Sequence, residues 1–306
     1  MISILLAKKI FQLFLMIFMG FLAVKVRLLK TEDAAVFSKT VLYVLAPCAV
    51  LNCFQIEFTA GVRNGLLLAF LAAALFQMII IAVCAGARKL FRLNKVEYAS
   101  SIYANSLNLI LPIVASILGS EWVIYTTAYF TIQTFLFWSH LINMFSGEGI
   151  HLKKVFTNLN VIATLAGLFM MFCGLRLPEL AAGAISDMGS MIGPVSMFTV
   201  GMLMANISFR ELFQTKKIYL VLVIRMIICP LVILVFIRLT GLAALVENGE
   251  KILLIPLLAA AAPTANTVSQ FAAIYNEKAS YASAIGSMTQ LSCIITMPLL
   301  VWMYAS

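Results

Sequence analysis

The sequence predicts an all-α polytopic membrane protein of ten transmembrane helices, arranged as two inverted five-helix repeats with the fourth and ninth helices broken. Three observations lead there. Mean hydropathy is +1.06 and only 11% of the 306 residues are charged, which lies outside the range of soluble domains. Apolar runs of about twenty residues, the length that spans a bilayer, recur along the whole chain. Prolines and polar residues interrupt those runs at matched places in the two halves.

The apolar segments cover residues 4–24, 35–54, 64–87, 97–119, 122–145, 158–176, 180–206, 217–239, 251–274 and 280–304. Ten spans and their short connections use up the chain, so function is expected inside the bundle. The first run lacks a small-residue cleavage pattern and is retained as a span. The polar stretch "FSGEGIHLKKVF" at 145–156 is the expected midpoint, dividing a first repeat, residues 1–148, from a second, residues 149–306.

Basic residues concentrate in the odd-numbered connections: Lys25, Arg27, Lys30 and Lys39, then Arg88, Lys89, Arg92 and Lys95, with Lys153, Lys154, Arg210, Lys216, Lys217 and Lys278 further on. The even-numbered connections hold only Arg63, Arg176 and Lys251, with Arg238 close by. The positive-inside rule then makes the odd connections cytoplasmic and places both termini outside a cell membrane. Lys8 and Lys9 run against this and are accommodated by snorkelling to the outer headgroups. The net charge of +9 is therefore a topology signal; the expected partner is the lipid bilayer, and no nucleic acid. The six cysteines lie in or beside apolar segments without CxxC spacing, so they read as packing residues rather than disulfides or metal ligands.

With five spans in each half, a second copy of the fold must enter the membrane upside down, and matched breakers fit that arrangement. Pro47 in the second span answers to Pro194 in the seventh; Pro112 in the fourth answers to Pro263 in the ninth, at nearly the same offset. Asn105, Ser106 and Asn108 cluster with Pro112, and Thr264, Asn266, Thr267, Ser269 and Gln270 with Pro263. A proline at depth frees carbonyls that hydrocarbon cannot satisfy, so such backbone must be buried in protein or line a cavity. Half-helices restarting near Pro112 and Pro263 would aim two positive N-terminal ends at one place, a site for a small carboxylate. The plainer alternative is a pair of kinked helices whose polar side chains bond their neighbours.

Asp187 is the only acid well inside an expected span and is the candidate for coupling, since an intramembrane carboxylate usually faces a cavity or a partner. Arg225, some way into the eighth span, either snorkels to the surface or pairs with substrate or Asp187. Gln133 in the fifth span lies near mid-depth and is the first choice among further buried polar groups; His140, Gln77, Asn52 and Gln290 read as structural. Gly189 and Gly193 form a small-xxx-small packing pair. No HExxH, GxSxG or GxxxxGK[ST] motif occurs, so neither an enzyme nor an ATP-driven pump is expected. No cofactor is expected; a proton or sodium gradient would be the driving force.

These residues give the chain a resemblance to the auxin efflux carrier family, the bacterial transporters related to plant PIN-type exporters. It rests on the asparagine and proline seven residues apart in "NSLNLILP", on "PTANTVSQFAAIYN" in the ninth span, on "GPVSMFTVGMLMA" in the seventh, and on Arg225 and Pro230 in the eighth. The resemblance covers nearly the whole chain. It implies ten helices as two inverted repeats, a scaffold and a transport domain, and fourth and ninth helices crossing at their breaks at mid-membrane. It further implies an exporter of an organic anion bound beside the crossing, an elevator-like motion and often a homodimer. Carried over, Asn105 and the regions of Pro112 and Pro263 are the binding positions. The chain departs from the family's pattern at "LIL" (109–111), at Val268 and at the "NLN" opening the sixth span, so auxin itself is not carried over. The rival readings are a sodium- or proton-coupled carrier or antiporter of the bile-acid-symporter-like type, and a non-transporting membrane receptor or assembly subunit.

Overall fold

The computed structural model describes residues 2–106, 109–147, 157–205 and 215–306. Their regular secondary structure is helical throughout: α1 (Ile2–Lys25), α2 (Thr31–Cys53), α3 (Ala60–Phe91), α4 (Lys95–Ile102), α5 (Ile110–Ile117), α6 (120–146), α7 (Leu159–Phe172), α8 (Glu179–Ser190), α9 (Ile192–Met204), α10 (Lys216–Thr240), α11 (Gly249–Ala260), α12 (Asn266–Ile274) and α13 (Ala279–Ala305). Four of these, α2, α3, α10 and α13, are long and apolar enough to cross a membrane unaided, which makes the chain a polytopic membrane protein. Helical residues occur in every one of the ten expected apolar stretches. The expected boundary between the halves, at 148/149, lies outside the described residues, as does Asn108.

α3 shows how composition sets these helices. Thr59 caps its start, the side-chain oxygen accepting the Val62 N–H at 3.2 Å, and Arg92 ends it in the left-handed conformation with φ 51°. Leu66, Ala69, Ala73, Phe76 and Ile80 recur at helical spacing and are buried, whereas Leu67, Leu71 and Met78 on the other face are exposed. An exposed face as apolar as the buried one is what lipid requires.

Among the described residues, three helices contain a five-residue π-helical turn: Val41–Leu45 in α2, Phe137–Leu141 in α6 and Ile224–Ile228 in α10. Two of them end two residues before a proline, Pro47 or Pro230. Proline cannot donate to the preceding turn and its ring crowds the carbonyl four residues back, so the helix widens there.

Small residues let helices approach. α1 and α9 meet at Gly20 and Gly201, where a methyl on Gly20 would overlap the Phe198 carbonyl and one on Gly201 the Ile17 carbonyl. Gly189 lies against the backbone of Ala49 in α2, and Gly193 against the ring of Pro112. These are close helix–helix packings of the small-residue kind.

Glu97, which lies at the very start of an apolar stretch, is 2% exposed. It completes a capping box with Asn94, accepting that residue's N–H at 2.8 Å while Asn94 Oδ1 accepts the Glu97 N–H at 2.9 Å. Its carboxylate also accepts the Tyr281 hydroxyl at 2.9 Å and the Lys217 ammonium at 3.4 Å. One buried acid thus ties the starts of α4, α10 and α13 together. Replacing Glu97 with Ala is expected to lower stability by about 1–2 kcal/mol, whereas Lys217→Ala, whose side chain is 46% exposed, is expected to cost under about 1 kcal/mol. Thermal unfolding of the two variants in detergent checks the order.

Candidate functional site

The fourth and ninth apolar stretches both lose their helix in the middle, and the two gaps lie against each other. α4 stops at Ile102 and Tyr103 is extended, with φ −96° and ψ 127°; α11 stops at Ala260 and α12 starts at Asn266. Asn105 donates its N–H to the Pro263 carbonyl at 2.7 Å, and Ala265 donates to the Tyr103 carbonyl at 2.9 Å. The result is a short antiparallel bridge between Ala104 and Thr264. Each broken helix therefore supplies the backbone partners that the other lost.

Side chains satisfy further backbone groups at the breaks. The Thr264 N–H reaches Thr289 Oγ1 at 3.1 Å, and the Thr264 hydroxyl donates to the Ser100 carbonyl at 2.9 Å. Arg225 is 0% exposed. Its Nε and Nη2 donate to the Ala262 carbonyl at 3.1 and 2.8 Å, and its Nη1 to the Ile102 carbonyl at 3.4 Å. Those carbonyls end α11 and α4, so the guanidinium sits where two helix dipoles present their negative ends. Among the described residues no carboxylate pairs with it. Arg225 therefore neither snorkels nor pairs with Asp187, two of the settings the sequence leaves open for it beside pairing with substrate; it clamps the crossing from behind.

Against the other side of the crossing lies a cavity of about 210 Å³. Asn105, Ser106, Asn266, Thr267 and Gln270 line it from the breaks, Phe130, Phe137 and Trp138 from α6, Asn160 from α7, and Ser196 and Thr199 from α9. No Lys, Arg, Asp or Glu is among the described residues that line it. The first N–H groups of α12 have no partner within the helix and carry partial positive charge, and they belong to Asn266 and Thr267 at the cavity wall.

Of the residues marked in the sequence, Asn105, Asn266 and Gln270 come together at this cavity. Thr264 and Pro263 build the crossing itself. Gln133 is fully buried behind the wall, where its side-chain oxygen accepts the Ser106 hydroxyl at 2.5 Å. Pro112 is the third residue of α5 and packs on α9; Pro47 lies buried in α2 and Pro194 near the start of α9. Asp187 does not fit its expected setting: it is exposed on α8 and is not part of the cavity wall. Its position two turns before Pro194 leaves it on the outer surface of the bundle, and no cation pairs with it among the described residues.

Sequence reasoning passed over Tyr103, whose carbonyl joins the bridge while its hydroxyl contacts His140 Nδ1 at 2.7 Å. It also passed over Asn160, Ser196 and Thr134. The only signal for Asn160 is the "NLN" opening of the sixth span, where Asn158 caps α7 by accepting the Asn160 and Val161 N–H groups at 2.9 and 3.4 Å.

A family model described as membrane transport protein matches residues 5–156 and 149–303. No curated protein matches the chain. With both matches together running from residue 5 to residue 303, the chain belongs to the membrane transport protein family, the transporters of the auxin efflux carrier type.

Proposed function

We propose that the chain is a secondary active transporter of a small organic anion, a carboxylate, working as an exporter in the cell membrane with both termini outside. In this reading its ten spans form two inverted repeats, residues 1–148 and 149–306, and the substrate sits at the crossing of the fourth and ninth spans. An elevator-like movement, within a homodimer, carries it across, and a proton or sodium gradient drives the cycle.

The observation that carries this reading is the charge arrangement at the crossing. One full positive charge, Arg225, is buried behind the bridge without a carboxylate partner among the described residues. On the cavity side, the N-terminus of α12 opens beside Asn105 and Asn266. Both bias the cavity toward an anion without placing a cation in its wall, so a carboxylate would bind and still leave. The rival antiporter reading needs acids at the site, and the described wall contains none. The receptor or subunit reading predicts that mutating the wall leaves flux unchanged.

Uptake of a panel of radiolabelled organic acids into proteoliposomes, with and without imposed proton and sodium gradients, tests it. Saturable uptake of an acid is expected, and Asn105→Ala and Asn266→Ala are each expected to lower it at least tenfold. Movement of cations but not acids in the folded protein would replace this reading with the antiporter one. No movement of either would favour the receptor or subunit.

A further inference from the structure

The cavity wall carries buried amide atoms of opposite hydrogen-bonding character. Asn105 is 6% exposed and its Nδ2, a donor only, has no partner; Asn160 is 3% exposed and its Oδ1, an acceptor only, has none either. Asn105 belongs to the break after α4, and Asn160 to α7 on a different wall.

The orientation of the Asn160 amide follows from the sequence of α2. In the π turn, the Ala46 N–H is spent on the Val41 carbonyl. The next carbonyl, Leu42, would look to residue 47 in the same register, and residue 47 is proline, which has no N–H. Asn160 Nδ2 takes that freed carbonyl at 3.3 Å. Turning the amide over would set its oxygen against the Leu42 oxygen, so Oδ1 is the atom left without a partner. Its backbone is held by the Asn158 cap, which fixes the position from which the side chain reaches Leu42.

An unpaired buried acceptor is costly and gains most from a ligand that donates to it. A simple carboxylate satisfies Asn105 and the start of α12 and leaves Asn160 Oδ1 unpaired. A protonated amine would donate, yet one amide oxygen without a carboxylate is a poor partner for a full cation in a cavity already biased toward anions. A hydroxyl donates one proton and carries no charge. At about 210 Å³ the cavity falls below the roughly 300–1,000 Å³ of drug-sized sites, which suits a short acid.

We propose that Asn160 is the specificity-determining residue of this site, reading a neutral donor on the substrate, so that the carrier selects small carboxylates that bear a hydroxyl over their deoxy counterparts. This rests on the carboxylate reading of the cavity given above.

The test is equilibrium binding to the purified full chain in detergent, by calorimetry, of lactate against propionate, 3-hydroxybutyrate against butyrate, and alanine as the ammonium-bearing probe. Each hydroxy acid is expected to bind at least tenfold more tightly than its deoxy partner and than alanine. Asn160→Leu is expected to bring the hydroxy acids down to the affinity of the deoxy acids. Pro47→Ala, which gives Leu42 a helical partner and releases the amide, is expected to lower the ratio while leaving Asn160 in place. Equal affinities within each pair in the wild type would overturn the proposal alone, as would a ratio that Asn160→Leu leaves intact. Tighter binding of alanine would replace the hydroxyl by an ammonium. Binding of no carboxylate by a folded protein would overturn the carboxylate reading and this inference with it. The wild-type ratios decide the matter even where a variant does not fold.

Discussion

Replacing Arg225 with methionine is expected to disable the crossing. The substitution keeps the approximate volume and removes the side-chain donors that the Ala262 and Ile102 carbonyls have among the described residues. Two buried carbonyls at helix ends would be left unsatisfied, a loss on the order of 3 kcal/mol. Since those carbonyls fix where α11 and α4 stop, the positions of Asn105 and Asn266 would shift with them, and uptake is expected to fall more than tenfold even in protein that remains folded. Arg225→Lys should be intermediate, because an ammonium keeps the charge but cannot bridge two separate carbonyls with a rigid fork. Thermal unfolding in detergent and initial uptake rates measure the two effects separately. A methionine variant as stable and active as the wild type would show that the clamp does not hold the crossing.

The second large effect is expected at the meeting of α1 and α9. A side chain at Gly201 would collide with the Ile17 carbonyl and come within 2.8 Å of the Phe21 nitrogen. Both are backbone atoms and neither can rotate away. Gly201→Val should therefore separate the two helices, at a cost of about 4 kcal/mol or more, the range reached only by overpacking and similar core damage. The variant is expected to give little monodisperse protein on size exclusion. Gly86→Ala provides the contrast: nothing lies within 4 Å of the added carbon, and because alanine favours a helix more than glycine, stability should hold or rise slightly. Normal yield and melting behaviour for Gly201→Val would refute the close approach.

The helical stretches were legible in the sequence because a bilayer imposes length and apolarity directly on local composition. The two breaks were legible as well, since Asn105, Pro263, Asn266 and Gln270 stand out against Leu, Ile and Ala. What lay hidden were the groups defined by backbone partners. Arg225 has its role through carbonyls that only the folded chain brings to it, and no sequence pattern distinguishes that from an arginine reaching for the surface. Glu97 reads as a residue at the edge of an apolar run until Tyr281 and Lys217, far along the chain, close over it. Asp187 misled for the opposite reason: hydropathy gives a residue its depth but not the face of the helix on which it stands. Asn160 needed the π turn of α2 to give it a meaning, and a widened turn leaves only Pro47 as its trace.

The Arg225 guanidinium puts one full positive charge into the crossing, held on the Ala262 and Ile102 carbonyls. If the crossing moves through the membrane's electric field, it does so with this charge when empty and without net charge when it holds a monovalent anion. A potential of 100 mV acts on each elementary charge with about 2.3 kcal/mol, so voltage would bias the return of the empty carrier and leave the loaded passage electrically silent.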